Sequence, residues 1–345
     1  MKTSRRNFIA GASAFAAAIA RHPGEAATSA PGKVSFCAFA DIHHFPGYWP
    51  HSGREWLDRI LDRAKTEKTD FTIQLGDMVH DVVRERDYLA AYNGFSQSTY
   101  HVVGNHDGER NRRSEMLEAF GLEKANYMFE RAGFRFIVFN PNYFLAKDGT
   151  FVAYERYNLF HANKAGAVAK GCIIPPEQVE WIRDAVEGSS LPCVLFSHES
   201  IERDGSAANA REVRSILEDA NRRHPGRVRL VVNGHHHIDY VRVAGDIVYL
   251  DLNSATYQYF VKPHGAYPEE YVKKNLNSRH AIAWNDPLSA VITLDAAAGS
   301  VEIKGSHSTC MFGVTPEKAG YSPYDPLGRP ALPCIRSFRF EKKFS

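Results

Sequence analysis

The chain has 345 residues, 44% of them hydrophobic and 24% charged; these proportions fit a folded protein with a substantial core and exclude disordered, fibrous and collagen-like classes. Residues 1–30 hold Lys2, Arg5, Arg6 and Arg21 against Glu25, a local charge of +3 within a total of +2, so the rest of the chain stands at −1. A body so close to neutral gives no reason to expect nucleic acid as a partner.

In chain order, Ser4-Arg5-Arg6-Asn7-Phe8-Ile9 precedes the small, apolar stretch 10–20. Paired arginines in that setting resemble a twin-arginine export signal. Residues 1–30 then read as an export signal peptide. This implies the twin-arginine machinery as a partner, a periplasmic or extracellular destination, and no stable membrane anchor after cleavage. No later run is long and apolar enough to look like a membrane span.

From residue 33 short apolar runs alternate with amphipathic ones. Strands are expected at 33–40, 71–75 and 100–103, with helices at 55–65, 84–94 and 110–120. This order predicts a largely parallel arrangement. A hairpin follows at 127–131 and 134–140 around Gly133, and Pro175-Pro176-Glu177 opens a helix through Val186. Strands are expected at 191–196, 227–232 and 247–252; weaker ones at 289–294 and 300–304 should pair with each other. Two long, tyrosine-rich segments, 141–171 and 257–287, have the length of functional loops, and either could cover an active site. The tail from 307 to 345 is rich in Pro and Gly and is expected to wrap the surface. Five cysteines leave at least one thiol unpaired within the chain. Cys37 and Cys193 sit in strand-like runs that favour buried thiols, and Cys310 with Cys334 is the candidate bridge for the tail.

Five short motifs carry the chemistry, and four of them directly follow an expected strand: Asp41-Ile42-His43, Gly76-Asp77, Gly104-Asn105-His106-Asp107, Ser197-His198 and Gly234-His235-His236-His237. In open α/β sheets ligands bind beyond the carboxyl ends of strands. Each motif alone is weak: Gly-Asp is a common turn, and a lone histidine is more often a surface or core residue than a ligand. Together they supply imidazoles, carboxylates and one amide without a cysteine, a donor set suited to Mn, Fe or Zn rather than to a thiolate zinc structure.

The order D-x-H, G-D, G-N-H-D, a lone histidine after a strand, then G-H-x-H resembles the calcineurin-like metallophosphoesterases over residues 41–237. The resemblance implies an α/β fold: a four-layer α/β/β/α sandwich of two mixed β-sheets flanked by helices, with the active site at strand C-terminal ends. Residues 33–305 would form that domain and 306–345 a C-terminal extension packed on it. The resemblance further implies two divalent metal ions. Asp41, His43 and His237 would hold the first, Asn105, His198 and His235 the second, and Asp77 would bridge both. A water between the ions would be acidified to hydroxide and attack phosphorus in line with the leaving oxygen. His106 would donate a proton to the leaving alkoxide or steady the transition state, with Asp107 as its orienting partner or a supporting group.

His44 and His236 are expected to be solvated or to support the ligands. Asn253 and Ser254 are expected to line the pocket, and Tyr48 and Trp49 either stack on a base or aryl group or pack. Purple acid phosphatases carry a ligand tyrosine where His80 stands here. Protein serine/threonine phosphatases carry G-N-H-E and an arginine–glycine pair that this chain lacks. The expected activity is a metal-dependent phosphoric ester hydrolase acting on small-molecule phosphate esters, leaning towards diesters. Phosphatase, nucleotide pyrophosphatase, non-phosphate hydrolase and a non-catalytic metal- or phosphate-binding protein are the alternatives.

Overall fold

Val34, Phe36 and Ala38 of the run Lys33–Phe39 project to one side and Cys37 and Phe39 to the other; all five are buried. A strand apolar on both faces needs a packed layer on each side, and the architecture supplies both. The computed structural model describes residues 32–51, 53–156, 171–203, 207–324 and 330–342; the export-signal segment and residues 157–170 of the first long insertion lie outside the described residues.

Twelve strands form two mixed sheets. In chain order they are β1 (Lys33–Phe39), β2 (Phe71–Gln74), β3 (Ser98–His101), β4 (Tyr127–Arg131), β5 (Phe134–Val138), β6 (Cys193–Phe196), β7 (Val228–Asn233), β8 (Tyr240–Ala244), β9 (Ile247–Asp251), β10 (Ala290–Asp295), β11 (Ser300–Lys304) and β12 (Phe338–Glu341). One sheet has the order β12-β11-β10-β1-β2-β3 and the other β8-β9-β7-β6-β5-β4. β1, β2 and β3 run parallel, as do β5, β6, β7 and β9; the remaining pairs are antiparallel, including the expected β10–β11 pair.

The inner faces of the sheets meet in an aromatic clasp. Phe36 stacks on Phe71 at 4.8 Å within its own sheet. It meets Phe136 and Phe196 of the other sheet edge-on at 6.0 and 5.6 Å. The outer face of the first sheet, through Cys37 and Phe39, packs on α1 (Arg54–Thr66), α2 (Arg86–Asn93) and α3 (Arg113–Ala119). The outer face of the second packs on α4 (Pro176–Glu187) and α5 (Ala210–Arg223). The layers are therefore α/β/β/α.

The structure differs from expectation in several places, one of them the expected loop 141–171, where Tyr143–Leu145 pairs with Phe151–Ala153. Residues 210–223, given no element from sequence, form α5. Its Val213, Ile216, Leu217 and Ala220 are buried at helical spacing, and charged residues occupy most of the other positions. The segment 257–287 is not a plain loop: Tyr257–Tyr259 pairs with Ala281–Ala283 and Glu269–Lys274 is a short helix. The tail does more than wrap, because β12 extends the first sheet and Cys334–Ile335 pairs with Ser306–His307. The Cys310–Cys334 bridge is absent: all five cysteines are free, and the Cys334 thiol lies 3.9 Å from the Asp239 carboxylate. Polar contacts hold the tail instead. Asp239 accepts from Arg336 Nε at 2.7 Å, and Asn253 Nδ2 donates to the carbonyls of Leu332 and Cys334 at 2.7 and 3.0 Å.

Truncating the clasp at Phe36→Ala is expected to destabilise the fold by about 3–5 kcal/mol through lost burial and a residual cavity. A urea midpoint that falls at unchanged slope would show it; an unchanged midpoint would contradict it.

Candidate metal centre

The five motifs sit beyond the carboxyl ends of parallel strands from both sheets: Asp41 after β1, Asp77 after β2, Asn105 after β3, His198 after β6, and His235 with His237 after β7. The chain turns sharply at each of these places. Asp41, His43, Asp77, His235 and His237 all have φ between 48° and 68°. A non-glycine residue in that left-handed region costs about 1–2 kcal/mol. Gly76 and Gly104 permit the close approach: a methyl on Gly76 would overlap the His198 ring, and one on Gly104 would overlap the backbone and carboxylate of Asp77.

Seven predicted ligand residues converge in two groups. The ligand atoms of Asp41, His43 and His237 lie within 4.8 Å of one another, as do those of Asp77, His198 and His235. Asn105 joins the second group, its Oδ1 lying 3.1 Å from His198 Nε2 and 3.0 Å from His235 Nδ1. Asp77 stands between them, with Oδ2 3.1 Å from His198 Nε2 and 3.7 Å from His43 Nε2.

Hydrogen bonds on the far side of each ring assign the protons. His237 Nδ1 donates to the carbonyl of Tyr257 at 2.7 Å, which leaves a lone pair on Nε2. His80 Nδ1 donates to Glu109 at 2.9 Å, so its Nε2 accepts from His43 Nδ1 at 3.0 Å. The lone pair of His43 is then also on Nε2, and it faces that of His237 across 3.1 Å. His198 Nδ1 donates to the carbonyl of Leu75 at 2.7 Å, which turns its Nε2 towards the oxygens of Asp77 and Asn105. Acceptors aimed at acceptors repel unless a cation lies between them, so this donor set fits divalent ions. Burial holds the His43 and His235 imidazoles well below their usual range, the neutral form a ligand needs. For His198 burial pushes the same way, but Asp77 outweighs it and holds the ring well above its usual range.

His106 lies at the mouth. Its backbone N–H donates to Asp77 Oδ1 at 2.8 Å, and its Nδ1 faces Glu109 Oε2 at 2.8 Å, which leaves Nε2 on the open side. Burial lowers its proton affinity, while Asp77 and Glu109 raise it, with a net upward shift. The ring partner is thus Glu109, which sequence reasoning did not single out; Asp107 is not the orienting partner. The Asp107 carboxylate accepts the backbone N–H groups of Asp77, Met78, Val79 and Gly104 at 2.8–3.1 Å, and so fixes two motif loops against each other. The same Glu109 oxygen serves both His106 and His80. Its position three residues after His106, within one turn, is the signal that could have found it.

Other expected contacts resolve differently. Ser254 Oγ donates to the carbonyl of Asp41 at 2.8 Å and braces that turn, whereas Asn253 anchors the tail. Trp49 is buried and stacked on Tyr257 at 5.1 Å, a packing role; Tyr48 stacks on Phe45 at 4.3 Å. His44 is buried against Glu85 at 2.9 Å, and His236 lies 3.7 Å from Asp251.

A mixed α/β sandwich that gathers paired His/Asp donors at its strand ends defines a class of metal-dependent hydrolase. The Calcineurin-like phosphoesterase family model matches residues 34–239, well over half of the chain, and the chain belongs to that family. Among solved structures, a dimetal phosphatase of Danio rerio superposes with a TM-score of 0.54 at 17% identity over 81% of this chain and 99% of that one; at this identity the match speaks to fold. GAP50, the anchor in the inner membrane complex of Plasmodium, has a TM-score of 0.49 at 13% identity over 79% of this chain and 84% of its own. PhoD has a TM-score of 0.48 at 13% identity over 92% and 71%. No curated protein sequence is significantly similar to the chain.

Two outcomes follow from this geometry. Gly104→Ala is expected to displace Asp77 and strip metal from the protein, with metal analysis as the check. With His198 protonated in chelated protein, metal uptake near neutral pH should release a proton, and affinity should fall as pH falls. Calorimetry in buffers of different ionisation enthalpy reads that proton; equal heats across buffers would contradict it.

Proposed function

We propose that the chain hydrolyses phosphoric esters of small molecules with two divalent ions bound, and that it prefers phosphodiesters. The observation that carries the hydrolase reading is the His106–Glu109 pair, 2.8 Å apart, at the mouth of a two-cluster donor site. The preference for diesters rests on the order of motifs, D-x-H at the start and G-H-x-H at the end, which resembles cyclic-nucleotide phosphodiesterases.

When bound, the ions neutralise charge on the phosphoryl oxygens and make a water acidic enough to serve as nucleophile near neutral pH. The chain's residues do the rest. Asp41, His43 and His237 would hold one ion, Asn105, His198 and His235 the other, and Asp77 both. His80 fixes the tautomer of His43, and the Tyr257 and Leu75 carbonyls fix those of His237 and His198. Glu109 holds His106 Nδ1, so Nε2 is the atom that gives a proton to the leaving oxygen.

The test uses the mature chain loaded with Mn or Zn and compares an aryl phosphodiester with the matching monoester. Diester cleavage should be faster and should vanish in Asp77→Ala. His106→Ala should retain both metals while its rate falls about 10²–10⁴-fold. A faster monoester would move the reading to a phosphatase. Unchanged turnover in His106→Ala would remove its assigned role, and metal binding without turnover of any ester would leave a binding protein.

A further inference from the structure

Around the centre, Asp41, His43, Asp77, His198, His237 and Tyr257 are buried, while Asn105, His106, Glu109, His235 and Tyr259 are half-buried. These five mark the side from which a substrate can enter. Asn105 and His235 belong to the ligand set and Glu109 is committed to two histidines. His106 and Tyr259 are the two remaining side chains there with a proton to give.

Tyr257 and Tyr259 lie two residues apart on the strand Tyr257–Tyr259, so both side chains project to the same face. The Tyr259 ring packs 4.7 Å from the His237 ring and 5.7 Å, edge-on, from His43. His106 flanks the same His43 ring at 5.1 Å. Trp49 and Tyr257 hold Tyr259 from behind, each at 5.1 Å and nearly perpendicular. The Tyr257 hydroxyl donates to the Tyr259 oxygen at 3.2 Å. A phenol has one proton to give, and among the described residues no hydrogen bond uses that of Tyr259. A phenol keeps its proton near neutral pH, and the ring's contacts with His237 and His43 place it beside the ligand cluster.

We propose that Tyr259 contacts the substrate, its hydroxyl donating a hydrogen bond to a non-bridging phosphoryl oxygen across the mouth from His106. The proposal rests on the phosphoester-hydrolase reading above. The role differs from packing, for which phenylalanine would serve as well. It also differs from proton transfer to the leaving group, since a fixed donor to an equatorial oxygen acts on monoester, diester and the product phosphate alike.

The experiment compares wild type with Tyr259→Phe, both metal-loaded, by metal analysis, by calorimetric titration with inorganic phosphate, and by kinetics on the aryl ester. The variant should keep both metals, bind phosphate about ten- to a hundredfold more weakly and lose kcat/KM by a similar factor, the size expected for one hydrogen bond to a charged group. Unchanged phosphate affinity and kcat/KM with metals retained would overturn the proposal and leave the hydrolase reading intact. Loss of metal from the variant would also overturn it, by assigning Tyr259 to the support of His237. A wild-type protein that binds metal but neither binds phosphate nor cleaves any ester would overturn both readings together.

Discussion

Two buried imidazoles, those of His43 and His237, aim their lone pairs at each other across 3.1 Å, beside an Asp77 carboxylate that lies 3.7 Å from His43 and 3.1 Å from His198. Left to itself such a cluster repels, and the chain holds it by fixing each ring from behind. His237 is tied to the Tyr257 carbonyl, His198 to the Leu75 carbonyl, and His43 to His80 and, through it, to Glu109. The remaining freedom is removed by the backbone, which places five of the ligand residues in the left-handed region. Strain of that kind persists only where the surroundings over-determine the conformation.

Those surroundings are the two sheets. The motif loops come from strands in different sheets, so their relative position is only as good as the packing between the inner faces. The Phe36, Phe71, Phe136 and Phe196 clasp supplies it. Asp107 performs the same service at short range by gathering four backbone N–H groups from the loops after β2 and β3. Its place in the G-N-H-D run suggests chemistry, yet three of these bonds tie it to the loop after β2 and the fourth closes its own loop.

The site separates into a rigid floor and an open rim. The buried ligand residues form the floor; half-buried residues, the ligands Asn105 and His235 among them, form the rim. His106 and Tyr259 reach the rim from sequence positions more than 150 apart, one from the loop after β3 and the other from an insertion between β9 and β10.

Much of this was legible in the sequence. The strand–helix alternation is a local, one-dimensional pattern and sufficed for an α/β arrangement; the two-sheet sandwich and the candidate ligands came from the resemblance that the motif order carries. Helix α5 was missed because charged residues obscure its apolar stripe, and the tail strand because short edge strands carry little periodicity. Glu109 stood within reach of His106 in sequence, but its second bond, to His80, the bracing role of Ser254 and the place of Tyr259 were not legible, since each depends on which atom of a distant segment it meets. A spacing rule says which residue types can meet a cation. The direction of a lone pair, the proton that fixes it and the side chain that closes the rim are set by contacts between segments far apart in sequence, and only the packed chain decides those.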